Sequence, residues 1–357
     1  MLTMQAVPAG RLSGDQFAVW TQLQSAEALF ESPHLRPEFT QAVAGVRDDV
    51  EVAIVEEDSR PVAFLPFQRT PWNGGRAAGG WLSNYQALVA AQGVVIDPVE
   101  LLKACQLSSW KFDHLLAAPE TFSPFVSRET DSPFVDLSDG YEAYVAWLKR
   151  RGKAFIESER KARKMAREIG PITFEAHSTD PSILTTMIEW KSAQYLRTRE
   201  RDIFEADWVR NLLGNVLKHN DVNFSPLLSV LRTGDRIACI SYALRSGRVL
   251  HGWFMAYNHD LARFSPGTQM LLEIIKYAPT AGIRRFDLGK GPETYKRQFM
   301  NGANRIVEGA VDTRAAASLA RRAFWRTRDW VRKSPLYRPA QTPIRLMRRA
   351  RGWLEMR

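Results

Sequence analysis

The sequence predicts an α/β (α+β) protein with two units, each a mixed central sheet flanked by helices, followed by a basic helical tail. Three observations lead there. The chain has 357 residues, and at about 150 residues per domain it can bury two cores. Strand-like runs alternate with runs of helical period in both halves, in a loosely shared order of helices followed by strands. From Arg314 onward the charge balance changes abruptly, with 13 basic residues against the two acids Asp329 and Glu355, whereas the body before it is almost neutral.

In chain order, Gln16 to Phe30 reads as a helix. Pro33 and Pro37 force a turn before a second short helix. Val50 to Glu56 and Pro61 to Arg69 are β-rich and separated by the turn signal Glu57-Asp58-Ser59-Arg60. Gly74 to Trp81 reads as a hairpin loop rather than a phosphate cradle, Ala87 to Ile96 as a core strand, and Phe112 to Leu116 as another strand. The second half opens with helices at Tyr141 to Lys149 and Lys153 to Ile169, the latter very basic, then a strand at Ile172 to Ala176. Helices follow at Pro181 to Tyr195 and Ala206 to His219. Ser225 to Arg232 and Asp235 to Leu244 form a hairpin through Thr233-Gly234, and Arg248 to Tyr257 is a third strand. A tight loop at Ser265-Pro266-Gly267 leads to a helix from Thr268 to Ala281 and a strand from Arg284 to Leu288.

Several function classes find no support. Cys105 and Cys239 are far apart and form no CxxC pair, which fits a reducing cytoplasm better than a disulfide scaffold. The six histidines show no metal-ligand spacing, so no metal is expected. There is no GxSxG elbow or Walker loop. The N-terminus lacks the pattern of a secretory signal, and no run reaches the ~18 apolar residues of a membrane span.

Chemistry concentrates between Arg248 and Phe299. The strand-loop-helix passage through Gly267 leaves first-turn N–H groups and the helix dipole available to an anion such as a pyrophosphate. Ser265, Gly267, Thr268 and Gln269 are therefore the candidate cofactor-binding group. Asp287 ends a strand that lines the expected cleft and is the first candidate for acceptor binding or base work; its plainer role is a strand-end turn carboxylate. Tyr295 is a candidate to give a leaving group its proton, or is a core aromatic. Lys296 and Arg297 are candidates for holding a phosphate, or form a solvated pair. His251 alternates with apolar neighbours, as a satisfied core histidine does, and is carried as a substrate-binding candidate.

The segment Gly282-Ile283-Arg284-Arg285-Phe286-Asp287-Leu288-Gly289-Lys290-Gly291 with Tyr295-Lys296-Arg297-Gln298-Phe299 resembles the closing signature of the C-terminal GNAT-like domain of the CelD/BcsL family. The basic helix Arg160 to Arg167, Ser265-Pro266-Gly267, Ser83-Asn84-Tyr85-Gln86 and Ser32-Pro33-His34-Leu35 are similar to that family too. The resemblance covers most of Phe30 to Val311. It implies tandem GNAT-like domains: a degenerate one over residues 1–140 and an acyltransferase domain over 141–312, with the tail at 313–357. It also implies acetyl-CoA or a longer acyl-CoA as donor, with the pantetheine arm between the Arg248–Tyr257 and Arg284–Leu288 strands. An amine or hydroxyl of a sugar, glycolipid or polysaccharide precursor is the implied acceptor, in exopolysaccharide biosynthesis, with Asn84 on the substrate side. One departure stands out: with the usual phosphate loop started at Arg263, Pro266 and Thr268 occupy positions of small residues, and proline supplies no N–H. Two alternatives stay open. One is a FemAB-like transferase using aminoacyl-tRNA, with RNA meeting the basic helix and the tail. The other is a non-catalytic scaffold in a polysaccharide-assembly complex.

In the tail, Ala316, Leu319, Ala320, Ala323, Thr327, Trp330 and Val331 share a helical face, opposite Arg314, Arg321, Arg328 and Arg332. A basic amphipathic helix with aromatic edges suits an anionic membrane surface, which places Arg314–Arg357 on the inner face of the membrane as a peripheral anchor. Packing on the body is the alternative, with nucleic acid the least favoured partner.

Overall fold

A computed structural model describes residues 2–116, 118–221, 223–291 and 293–314. Strand β1 (Leu2–Pro8) leads to helix α1 (Gly14–Ala26), which opens with a capping box: the Ser13 hydroxyl accepts from the Gln16 N–H, and the Gln16 side chain accepts from the Ser13 N–H. Helix α2 (Pro37–Ala44) starts on a proline, whose missing N–H costs nothing at that position. Strands β2 (Val50–Glu57) and β3 (Arg60–Thr70) form a hairpin through Asp58 and Ser59, both at positive φ as a tight primed turn requires. Then come β4 (Gly74–Ala77), β5 (Val89–Ala90), α3 (Pro98–Ala104), β6 (Ser109–Leu116) and β7 (Val126–Asp136).

The second half runs α4 (Gly140–Arg151), α5 (Ala154–Glu168), β8 (Ile172–Glu175), α6 (Pro181–Thr198), α7 (Asp207–Val216), β9 (Ser225–Thr233), β10 (Arg236–Ser246) and β11 (Val249–Tyr257). It closes with α8 (Pro266–Tyr277), β12 (Arg285–Asp287), α9 (Thr294–Phe299) and β13 (Gly302–Asp312).

All the strands join one mixed sheet in the order β1-β2-β3-β4-β6-β13-β7-β12-β11-β10-β9-β8, with β5 on β3. Among the described strands β4–β6 and β11–β12 pair in parallel, and an isolated parallel bridge joins Gln86 to Leu115. The last strand, β13, lies between β6 and β7, so the end of the described chain is laddered into the first half of the sheet. One core crosses both halves on a single face: Trp20, Phe39 and Phe64 belong to the same buried cluster as Met187, Leu212 and Trp253. On another face of the second half, Phe155 and Met165 of α5 pack with Met270, Leu271 and Ile274 of α8.

The expected hairpin, helices and third strand of the second half are present. Several first-half details differ. The Gly74 to Trp81 stretch contains β4, paired with both β3 and β6. Within the expected Ala87 to Ile96 strand only Val89–Ala90 ladders, although Ala87 and Leu88 are buried as well. Strands β1, β7 and β13 carry weak sequence signals. Pro133 and the run Ser127-Arg128-Glu129-Thr130-Asp131 argue against a central strand, and β13 is interrupted by Gly309. The amphipathic tail expected from 313 lies, from residue 315 onward, outside the described residues. Among the described residues no helix is long and apolar enough to cross a membrane.

Candidate active site

The site begins where β11 and β12 part. They pair over three positions, Val249–Arg285, Leu250–Phe286 and His251–Asp287, and then the ladder stops. β11 continues to Tyr257, whereas the other chain turns away: the Leu288 N–H donates to the Pro133 carbonyl and Gly289 takes φ 71°. The β10–β11 register shifts at the same level, with Tyr242 opposite Phe254 and Ala243 opposite Gly252, so Trp253 is an extra residue that re-aims the strand. The result is an open sheet edge beside a cavity of about 530 Å³. Lys191 and Tyr195 of α6, Gly252 to Met255, Ser265 to Thr268, Asn84, Gly289, Tyr295 and Lys296 line it.

The α8 terminus reaches the cavity in an unusual form. Ser265 is left-handed at φ 55°, Pro266 supplies no N–H, and the N–H groups of Thr268 and Gln269 turn back to the Ser265 carbonyl at 3.0 and 3.3 Å. Few amides are left for an anion. Lys161 of α5 brings a positive charge to the same point, its Nζ donating to Ser265 Oγ at 2.8 Å. Beyond it lies an open groove of about 690 Å³ lined by Arg151, Lys153, Lys161 and Arg297, with Glu157, and sharing Ser265 and Thr268 with the cavity. The cavity and groove thus meet at the α8 N-terminus.

Behind the cavity wall is a buried polar cluster. Asp287 and His251 are fully buried; Asp287 lies 3.7 Å from His251 Nδ1 and 3.4 Å from Arg285 Nε. Burial holds His251 below the usual histidine range, opposed by the nearby Asp287 carboxylate. His34 sits edge-on to His251 and is held well below that range, first by burial and then by its histidine neighbours. Tyr85 approaches His251 from another side, and its hydroxyl donates to Ser132 Oγ and accepts from Asn304 Nδ2, both at 3.0 Å. A Cβ placed on Gly289 would stand 3.6 Å from His251 Nε2 and 4.0 Å from Asn84 Nδ2, so the imidazole reaches the wall that Gly289 and Asn84 form.

The candidates named from sequence therefore fall into three places. Ser265, Gly267, Thr268, Asn84, Tyr295 and Lys296 line the cavity. Asp287 and His251 are behind its wall, and Arg297 faces the groove. Gln269 lies away from the cavity wall: its side chain donates to the Ser158 carbonyl at 2.8 Å and ties α8 to α5. Burial raises the Tyr295 pKa, with Glu293 adding to the effect, so its phenol stays protonated. Lys191 was not anticipated. The signal was available: it continues the buried stripe Ile183, Leu184 and Met187 one turn further on, where an apolar residue is expected. Among the described residues no cluster of His, Cys, Asp and Glu is arranged to hold a metal.

Residues 136–297 match the acetyltransferase (GNAT) domain family. The chain has a GNAT-type fold. Solved structures show a likeness of fold that runs over both halves of the chain. FemX superposes with a TM-score of 0.55 at 11% identity, covering 88% of this chain and 98% of that one. The C-terminal domain of a protein assigned as a lysylphosphatidylglycerol synthetase from Agrobacterium fabrum gives 0.52 at 15% identity, covering 85% and 95%. L-PGS from Bacillus licheniformis gives 0.50 at 11%, covering 88% and 96%. At these identities the likeness is one of fold. No curated protein matches the sequence. The GNAT-type fold supports a transferase of acyl or aminoacyl groups.

Proposed function

We propose that the protein transfers an acyl group from acyl-CoA to an amine or hydroxyl acceptor. Following the CelD/BcsL resemblance, the acceptor is a sugar, glycolipid or polysaccharide precursor. The observation that carries the reading is the three-residue β11–β12 ladder opening at Gly252 onto the cavity beside α8. The pantetheine arm lies along the open β11 edge, whose unladdered N–H and C=O groups match its amides. The donor phosphates rest by Gly267 and Lys161, where one ammonium stands in for the amides lost to Pro266.

In the reaction the acceptor attacks the thioester carbon and the C–S bond breaks. Tyr295, kept protonated by burial, gives the leaving thiolate its proton. The acceptor's proton passes to neutral His251, reached at the Asn84–Gly289 wall, and Asp287 steadies the imidazolium. Thermal stabilisation by acetyl-CoA and by longer acyl-CoA tests the reading. A rise in Tm that is lost in Gly267→Trp, whose indole would fill the cavity mouth, is expected; no response to any acyl-CoA contradicts it.

A second reading, transfer from aminoacyl-tRNA, is favoured by one observation. The groove beside α8 is wide, open and lined by four cations, as a polyanion would require. Salt-sensitive tRNA binding together with indifference to acyl-CoA would select it.

A further inference from the structure

The cavity carries more positive charge than its own carboxylate balances. Lys191, Lys290 and Lys296 line it, with Glu293 as the acid. Two of the lysines are engaged. Lys290 pairs with Glu308 and also donates to the Asp113 carbonyl at 3.0 Å. Lys296, buried, pairs with Glu293 at 3.1 Å and donates to the Lys290 carbonyl. Lys191 differs. Its Nζ donates to the neutral Gln194 Oε1 at 3.2 Å and lies 5.5 Å from the centroid of the Tyr195 ring. Among the described residues no carboxylate stands within ion-pair distance of it.

An ammonium set largely out of water without a counter-ion is costly, and a second ammonium nearby adds to the cost. Burial is the largest influence on Lys191 and lowers its pKa; Glu200 and then Glu293 act against it from beyond ion-pair distance, and Lys296, which lines the same cavity, adds a smaller push downward. The arrangement becomes favourable when an anion enters between the two lysines. We propose that the cavity binds a substrate bearing a carboxylate or phosphate group, held between the Lys191 and Lys296 ammoniums.

The position of α6 indicates which substrate this is. Its buried residues Ile183, Leu184 and Met187 belong to the core shared with α1 and α2, whereas those of α8 belong to the core shared with α5. Lys191 therefore approaches the cavity from a different core than the donor-phosphate site at Ser265 and Lys161. The anion belongs to the acceptor, which makes the acceptor an acidic molecule. This assignment to the acceptor rests on the acyl-transfer reading above; the anion site itself does not.

Brief labelling of the full-length protein with an uncharged succinimidyl ester, read at each lysine by mass spectrometry, tests the proposal. Inorganic phosphate and acetate are the probes. Labelling of Lys191 and Lys296 is expected to fall saturably, with phosphate alone, acetate alone or both, and the pattern identifies the anionic group. Lys191→Gln should raise the anion concentration that protects Lys296 about tenfold, the loss expected for one charge-assisted hydrogen bond. Unchanged labelling of Lys191 in both anions overturns the proposal. Acetyl-CoA thermal shifts on the same samples separate the two ideas: protection without a shift refutes the acyl-CoA reading alone, and a shift without protection refutes the anion site alone.

Discussion

His34, from the first half of the chain, sets its ring edge-on to His251 of β11 at a centroid distance of 4.7 Å. Among the described residues neither imidazole has a hydrogen-bond partner, Phe39 and Trp253 close round His34, and the Asp287 carboxylate lies 3.7 Å from His251 Nδ1. The first half of the chain thereby supplies part of the wall behind the cavity beside α8.

Because both pKa values are lowered in the folded state, the unfolded chain binds more protons below the ordinary histidine value of about 6.5. Stability is fully present above that pH and falls on acidification toward the folded pKa values. Each histidine contributes at most about 1.4 kcal/mol per pH unit to the slope. Denaturant melts between pH 7 and 5 should show this decline, and His34→Phe should roughly halve the part due to the pair. An unchanged slope in the variant would mean that His34 is not held neutral.

In the proposed acyl-CoA reading, Lys161, whose Nζ donates to Ser265 Oγ, takes over from the amides that Pro266 and the turned-in first turn withdraw. Lys161→Met should weaken acetyl-CoA binding about tenfold and reduce its salt dependence, as expected for loss of one charged contact to phosphate. Calorimetric titration at two salt concentrations measures both. Wild-type affinity in the variant would remove Lys161 from the donor site.

Gly309 is the tight point of the strand that joins the halves. It sits at a register shift in β13, and an added Cβ would overlap the Phe125 carbonyl and stand 2.7 Å from Phe112 Cζ. Gly309→Ala should cost about 1–3 kcal/mol, as overpacking of a filled core does. The urea midpoint should fall with an unchanged m-value.

The two thiols should be inert in the native protein. Cys105 and Cys239 are buried; burial, with Glu51 second, pushes the Cys105 thiol up to about 12, and burial raises that of Cys239. A thiol-disulfide reagent at pH 8 should find no fast-reacting group until denaturant is added, and then two.

Local chemistry made much of the second half readable. Thr233-Gly234 marks the β9–β10 turn, where Gly234 adopts φ 54°, and Ser265-Pro266-Gly267 marks the start of α8. The parting of β11 and β12 was expected from the family resemblance alone; no local pattern in the two strands announces it. Strand β7 was hidden because its Pro133 and charged residues break the alternation by which strands are recognised, and neighbours on both sides hold it in the sheet. The left-handed Ser265 and the turned-in amides of α8 leave no mark on composition. Nor does any local pattern bring His34 and Tyr85 to His251, since sequence separations of more than 160 residues are closed only by the fold. Lys191 carries a sequence signal in its place on the Ile183, Leu184 and Met187 stripe, but that stripe alone does not say that the position faces a cavity.

The central claim is that the donor lies along the edge of β11 exposed when β12 turns away at Leu288. Amide hydrogen exchange over Gly252 to Tyr257, with and without acetyl-CoA, tests it most directly. The account predicts slower exchange within that stretch and at Gly267 on binding, with the β9–β10 hairpin unchanged. Binding of acetyl-CoA that leaves Gly252 to Tyr257 exchanging at the unliganded rate would contradict it.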